Sequence, residues 1–314
     1  MLSSMLPILA MASTMAYAQS DIPLPGHLES ILVQAQNDSI YTYPTQLTSG
    51  IIPKGIHSHN DYWRPVPFYS ALAVGAISVE ADVWLYNDTL HVGHEESALT
   101  NDRTFDALYI QPILRVLNSQ NPNSTFVPKG QAKHGVFDAS AGQTLYLFVD
   151  LKTDGPKTWP YVVRALQPLR DAGYLTKFNG TGIETGPVTV VGTGNTPLNQ
   201  IQCVQNRDFF FDAKLDLLNT TQSNITSDVS PIASTSFGSQ FGEVRSGVMN
   251  DTQLARLRSQ IAIAKSKNIL VRYWDQPLWP IGTRNAIWRL LWNEGAGLLN
   301  SDDLAGSADF WQME

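Results

Sequence analysis

A chain of 314 residues, 43% of them hydrophobic and 16% charged, is long enough to bury one full core in a single large domain. Its net charge of -7 argues against a general nucleic-acid or anionic-membrane surface, while leaving room for a small positive pocket. The one cysteine, Cys203, excludes an intrachain disulfide, so stability must come from the core.

Residues 1–18 read as a secretory signal peptide. Met5 to Ala16 is mostly apolar but too short to span a bilayer, and Ala16-Tyr17-Ala18 is a small-residue cleavage site. The segment carries no Lys or Arg, and a buried N-terminal helix is the alternative. Seven asparagines open Asn-X-Ser/Thr sequences without an intervening proline: Asn37, Asn87, Asn123, Asn179, Asn219, Asn224 and Asn250. Chance predicts roughly three, so the chain is expected to be secreted and N-glycosylated. Residues 19–54 form a polar lead-in with a short helix around His27 to Ala35, and the domain proper spans 55–314. No apolar run reaches the roughly 18 residues of a transmembrane helix.

From Gly55 onward, strand-like runs alternate with helical patterns. The strands are Ile56–His59, Ala76–Trp84, Thr144–Leu151, Val188–Val191, Asp208–Asp212, Ile232–Thr235, Ile269–Trp274 and Gly297–Asn300. The clearest helices are Pro67–Val74, Asp106–Asn118, Thr158–Asp171, Thr252–Ser266 and Arg284–Glu294. Asp88–Val92 adds a short hairpin strand after the second. Eight strands with mainly helical connections predict a single α/β barrel of the (β/α)8 TIM type. Its active site would lie at the C-terminal strand ends. An open doubly wound sheet is the alternative.

Side chains alternate across a strand. Packing Val79, Ala81 and Val83 outward against helices turns Glu80 and Asp82 inward, and the same rule turns Asp150 and Lys152 inward in the third strand. Three carboxylates at one mouth repel. A hard divalent cation relieves that repulsion, and all-oxygen ligation suits magnesium or calcium rather than zinc. A salt-bridge cluster, in which Lys152 and arginines neutralise the acids, is the competing reading. His57 and His59 end the first strand and His94 follows the hairpin. Two histidines approaching one acid cluster suggest an acid–base pair. His57-Ser58-His59 also suits a metal-dependent amidohydrolase, but no histidine follows His134 to complete such a site.

The stretches His57-Ser58-His59-Asn60-Asp61-Tyr62-Trp63-Arg64, Val79-Glu80-Ala81-Asp82-Val83-Trp84, Val92-Gly93-His94 and Val149-Asp150-Leu151-Lys152-Thr153-Asp154-Gly155 carry a family resemblance. Val190-Val191-Gly192-Thr193-Gly194-Asn195 and Val271-Arg272-Tyr273-Trp274-Asp275 agree with it. Together they resemble the phospholipase-C-like phosphodiesterase superfamily, which contains glycerophosphodiester phosphodiesterases and sphingomyelinase D-type phospholipases. The closer likeness is to the fungal "altered inheritance of mitochondria" family within it. The resemblance implies a barrel that cleaves a small phosphodiester or lysolipid. It implies catalytic roles for His57 and His94, metal ligation by Glu80, Asp82 and Asp150, and phosphate contact by Lys152. Asn60 falls at the His-X-X-Asn spacing of the sphingomyelinase D branch, and Trp274 where that branch lines its pocket with an aromatic ring. The His-Arg-Gly and Pro-Glu-Asn-Thr signatures of typical glycerophosphodiester enzymes are absent. A secreted barrel that binds a phosphate-bearing ligand without turning it over is the non-enzymatic alternative.

Overall fold

Strands rich in Val, Ile and Leu pair in parallel and close on themselves. The structure, a computed structural model, describes residues 25–35, 38–128 and 130–312. The signal segment at 1–18 and the acceptor Asn37 lie outside the described residues. The chain divides into two compact units, Met1–Tyr43 and Pro44–Glu314. In the first, a helix at Gly26–Ala35 leaves no residue buried. Asp38 then caps a single turn, Ser39–Tyr41, by accepting the Ile40 amide.

The second unit holds eight parallel strands: β1 (Lys54–Ser58), β2 (Ala76–Tyr86), β3 (Leu145–Leu151), β4 (Val188–Gly194), β5 (Phe210–Lys214), β6 (Ile232–Ser236), β7 (Leu270–Trp274) and β8 (Leu298–Ser301). Each pairs with its sequence neighbours, and β1 pairs with both β8 and β2, so the sheet closes into the expected (β/α)8 barrel. The hairpin strand Thr89–Val92 lies antiparallel on β2. Its turn places Asn87 and Asp88 at φ of 47° and 62°, the left-handed pair a tight hairpin requires.

The outward faces carry the main core. Val79, Ala81, Val83, Leu147 and Val149 are fully buried beneath helix residues such as Ile113, Val162 and Leu257. Each large aliphatic so buried stabilises the fold by about 1.5–3 kcal/mol. A separate cluster of Phe148, Val191, Ile232 and Leu298 fills the barrel interior. Polar residues occupy its C-terminal mouth.

Helix ends follow local chemistry. Asp154 accepts the Lys157 amide and starts a helix at Gly155–Ala165, three residues before the expected Thr158. That helix breaks at Leu166, because Pro168 in the first turn of Gln167–Asp171 has no amide hydrogen to continue the ladder, so two helices stand where one was expected. Asn250 and Gln253 form a reciprocal capping box for Asp251–Ser266. Gly295, at φ 99°, ends Ile281–Glu294. A three-stranded sheet of very short strands (Lys177–Asn179, Ile183–Glu184, Asn206–Arg207) and a final helix, Leu304–Gln312, are additional to the expected elements. Among the described residues no helix is long and apolar enough to cross a membrane. The six acceptor asparagines among them are all exposed.

Candidate active site

The mouth is built on β2 and β3. Register sets Asp82 opposite Asp150 and Glu80 opposite Phe148. The inward pleat therefore stacks Glu80 below Asp82, with Asp150 alongside. One oxygen from each of Glu80, Asp82 and Asp150 lies within 4.8 Å of the others.

Two fixed cations serve this cluster. The Lys152 ammonium sits 2.7 Å from Asp150 Oδ2 and 2.9 Å from Asp82 Oδ2. Arg272, buried on β7, reaches Glu80 Oε1 at 3.4 Å and Asp212 Oδ2 at 3.9 Å, and donates to Asn300 Oδ1 at 2.9 Å. Its guanidinium also lies 5.0 Å from the centre of the Phe148 ring. Sequence reasoning gave Arg272 no role. Four carboxylates (Glu80, Asp82, Asp150, Asp212) thus share two fixed cations, an excess of two negative charges in these ion pairs among the described residues.

That excess appears in the titration behaviour. Burial pushes the Asp82 carboxyl up to about 6, with Glu80 and Asp150 adding to the push and Lys152 opposing it. Burial likewise raises Asp212 to about 6, against Arg272. Asp150 is also raised, chiefly by burial. Burial would raise Glu80 too, but its neighbours, Arg272 foremost, outweigh it and hold that carboxyl well below the usual range. Burial works against the charged Lys152 ammonium, but Asp150 and Asp82 more than compensate and raise its pKa. The donor set of three convergent carboxylates with surplus negative charge fits a hard divalent cation. The salt bridges of the competing reading are present as well.

The histidines occupy different depths. His57 lies within β1 with no exposed surface, its Nδ1 2.7 Å from Ser78 Oγ and its ring edge-on to Phe148. Its Nε2 has no hydrogen-bond partner among the described residues and stands 3.8 Å from Glu80 Oε2. Burial, reinforced by Arg272, pushes this imidazole down to about 3, so it is neutral. His59 follows two residues later on the same inward face, one pleat nearer the mouth, with its side chain 24% exposed. Its Nδ1 lies 2.9 Å from Asp302 Oδ1 and its Nε2 3.6 Å from Glu80. His94 is 44% exposed, with Nδ1 3.0 Å from the Tyr62 hydroxyl and 3.4 Å from Asp82. The sequence expectation paired His57 with His94. Solvent reaches His59 and His94 instead, and His57 packs beneath them.

The loop after β1 ties these groups together. Asn60, in the left-handed region at φ 50°, donates its backbone amide to Glu80 Oε2 and its side-chain amide to Asp302 Oδ1, both at 3.1 Å. The Tyr62 hydroxyl lies 2.5 Å from Asn60 Oδ1 and 2.6 Å from Asp82 Oδ2. Buried Asp61 pins the loop by accepting from Ser58 Oγ and the Phe68 amide, each at 2.6 Å. Trp274, the last residue of β7, is exposed at the same mouth. His91 is turned away, to the Thr100 carbonyl. Asp302, just beyond β8, carried no sequence signal beyond its place after a strand.

Comparison with known proteins adds a second line of findings. The family model described as AIM6-like phosphodiesterase domain matches residues 45–212. An altered inheritance of mitochondria protein 6 homolog from Arthroderma benhamiae is 51% identical over 315 residues, covering 97% of this chain and 99% of that protein. Altered inheritance of mitochondria protein 6 of Lachancea thermotolerans is 34% identical over 284 residues, 81% of this chain and 64% of that one. Its Kluyveromyces lactis counterpart is 30% identical over 349 residues, covering 95% and 83%. No solved structure matches the chain.

Proposed function

Because the chain belongs to the AIM6-like phosphodiesterase family, we propose that its barrel mouth cleaves a phosphodiester, with Glu80, Asp82 and Asp150 holding one hard divalent cation. The observation that carries this reading is the convergence of three carboxylates between two solvent-reaching histidines. Magnesium is the first choice and calcium the second. Such an ion, when bound, polarises a phosphoryl oxygen.

The chain's own residues supply the rest. Lys152 offsets charge on a second phosphoryl oxygen from its seat on Asp82 and Asp150. His59 is set up as the base: Asp302 holds Nδ1, leaving the Nε2 lone pair toward the mouth. The attacking hydroxyl, from a neighbouring position on the substrate or from water, gives its proton to His59 Nε2. His94 gives a proton to the departing alkoxide. A neighbouring hydroxyl as nucleophile yields a cyclic phosphate plus the free alcohol, whereas water yields a phosphomonoester. His57 supports Glu80 from below, Asn60 fixes the Glu80–Asp302 frame, and Trp274 borders the substrate's path.

The substrate class we infer is a glycerophosphodiester or a lysophospholipid or sphingolipid of similar headgroup. The signal-like segment and the acceptor sequences support a secreted, glycosylated protein. Phosphorus NMR of reactions with lysophospholipids, sphingomyelin and glycerophosphodiesters tests the reading. We expect a new monoester or cyclic-phosphate resonance from at least one of them. Binding of these compounds with no product, in the presence of magnesium, calcium or manganese, would instead establish the non-enzymatic barrel.

A further inference from the structure

Large apolar side chains crowd the rim of the mouth without cover. Trp279 is 75% exposed, Leu278 56% and Ile281 50%, all within four residues of the loop and helix start that follow β7. Trp63 is 58% exposed and Val66 54%, on the loop that follows β1. Single exposed apolar residues are ordinary, but a contiguous set is not. The two loops leave the C-terminal ends of strands separated only by β8, so their roots lie about 10 Å apart on one side of the mouth. Between their roots stands β8, with Asp302 just beyond it, and Trp63 on the β1 loop packs 5.2 Å from His94 at the edge of the site.

We propose that this rim docks the protein onto a zwitterionic lipid surface, so that a phosphodiester headgroup enters the mouth directly from the aggregate. The proposal rests on the phosphodiester reading of the site and names how its substrate is presented. Three observations select the occupant. The set is rich in tryptophan and aliphatic residues, the pairing that seats proteins at the headgroup boundary. A protein partner seated on this rim would close the mouth, whereas a lipid surface delivers substrate into it. Charge selects the lipid: residues 275–281 contain no Lys or Arg, and the guanidinium of Arg64 on the β1 loop is spent on the carbonyls of Asp302, His59 and Ser301. With a chain charge of -7 and no Lys or Arg in that window, the rim gains little from anionic lipid, and apolar insertion must carry the binding.

The test is co-sedimentation of the full chain with phosphatidylcholine vesicles, with and without phosphatidylserine, alongside tryptophan emission. We expect sedimentation with phosphatidylcholine, a blue shift, and no gain from phosphatidylserine. The double variant Leu278→Ser/Trp279→Ser should lose at least tenfold in partitioning, and Val66→Ser a smaller part, with circular dichroism unchanged. Both should turn over soluble bis(p-nitrophenyl) phosphate like the wild type. Wild-type protein remaining in the supernatant, binding that requires phosphatidylserine, binding unchanged in the double variant, or a dimer in light scattering that dissolves with Trp279→Ser would each overturn the proposal. If neither form turns over the soluble diester yet sedimentation follows the expected pattern, the phosphodiesterase reading fails and the docking surface stands.

Discussion

Asp82 and Asp150 are register partners on adjacent strands, and the Lys152 ammonium bridges them at 2.9 and 2.7 Å. The bridge keeps two inward acids together in a buried mouth while Glu80 is held separately by Arg272. This division of labour explains how the barrel tolerates the cluster and where its surplus negative charge remains.

The depth difference between His57 and His59 makes a sharp kinetic prediction. His59→Ala and His94→Ala should each lower kcat by about 10²–10⁴, the usual worth of a positioned acid or base. His57→Gln should lose less, because its ring touches no solvent. Steady-state turnover of a soluble diester measures all three. An inactive His57→Gln beside an active His59→Ala would reverse the assignment.

Arg272 should be the most stability-critical charge in the mouth. Replacing it with Met strands Glu80 and Asp212 in the barrel without their cation. Loss of one partner of a buried pair costs about 3–5 kcal/mol. Urea denaturation should show that loss in Arg272→Met and recover part of it in the Arg272→Met/Glu80→Gln double variant.

The last helix offers a pH-dependent check. Asp303 Oδ1 accepts the Gly306 amide at 2.9 Å and its Oδ2 accepts from Arg284 at 2.5 Å. The Gly306 amide first, and Arg284 with it, hold the carboxyl below its ordinary 3.8. A depressed carboxyl stabilises the fold above its unfolded value, and that contribution disappears as pH falls through the folded one. Asp303→Ala should therefore cost about 0.5–2 kcal/mol at pH 7, the usual worth of a helix cap, and progressively less below pH 4. Denaturation midpoints at several pH values measure it.

Secretion makes a mass prediction. Protein recovered from the medium of a eukaryotic host should begin near Gln19 and shrink on treatment with an N-glycan-releasing amidase. Peptide mapping should find glycans among Asn87, Asn123, Asn179, Asn219, Asn224 and Asn250, all exposed. An intact Met1 and an unchanged mass would contradict it.

The barrel is legible in the sequence because its signal is periodic. Aliphatic residues alternate with Glu80, Asp82, Asp150 and Lys152, and that alternation by itself sets the inward face. Depth is not legible. His57 and His59 share a face, and nothing in His57-Ser58-His59 tells where the strand meets the mouth. The roles of Arg272 and Asp302 are not legible for a different reason. Arg272 sits within a strand and Asp302 just after one, and the meaning of each comes from partners 192 and 243 positions away. The three-stranded side sheet has strands of two or three residues, too short for any period to register.

The central claim is that Glu80, Asp82 and Asp150 hold a divalent ion that phosphodiester cleavage requires. The direct measurement is turnover of bis(p-nitrophenyl) phosphate by EDTA-treated protein titrated with magnesium or calcium, with thermal melting in parallel. We predict no turnover after chelation, its return with added metal, and a melting temperature that rises with metal by mass action. Asp82→Asn should keep the fold and lose both responses. Full activity after EDTA treatment, with no thermal shift on adding magnesium, calcium or manganese, would contradict the account and leave the acids as a salt-bridge cluster.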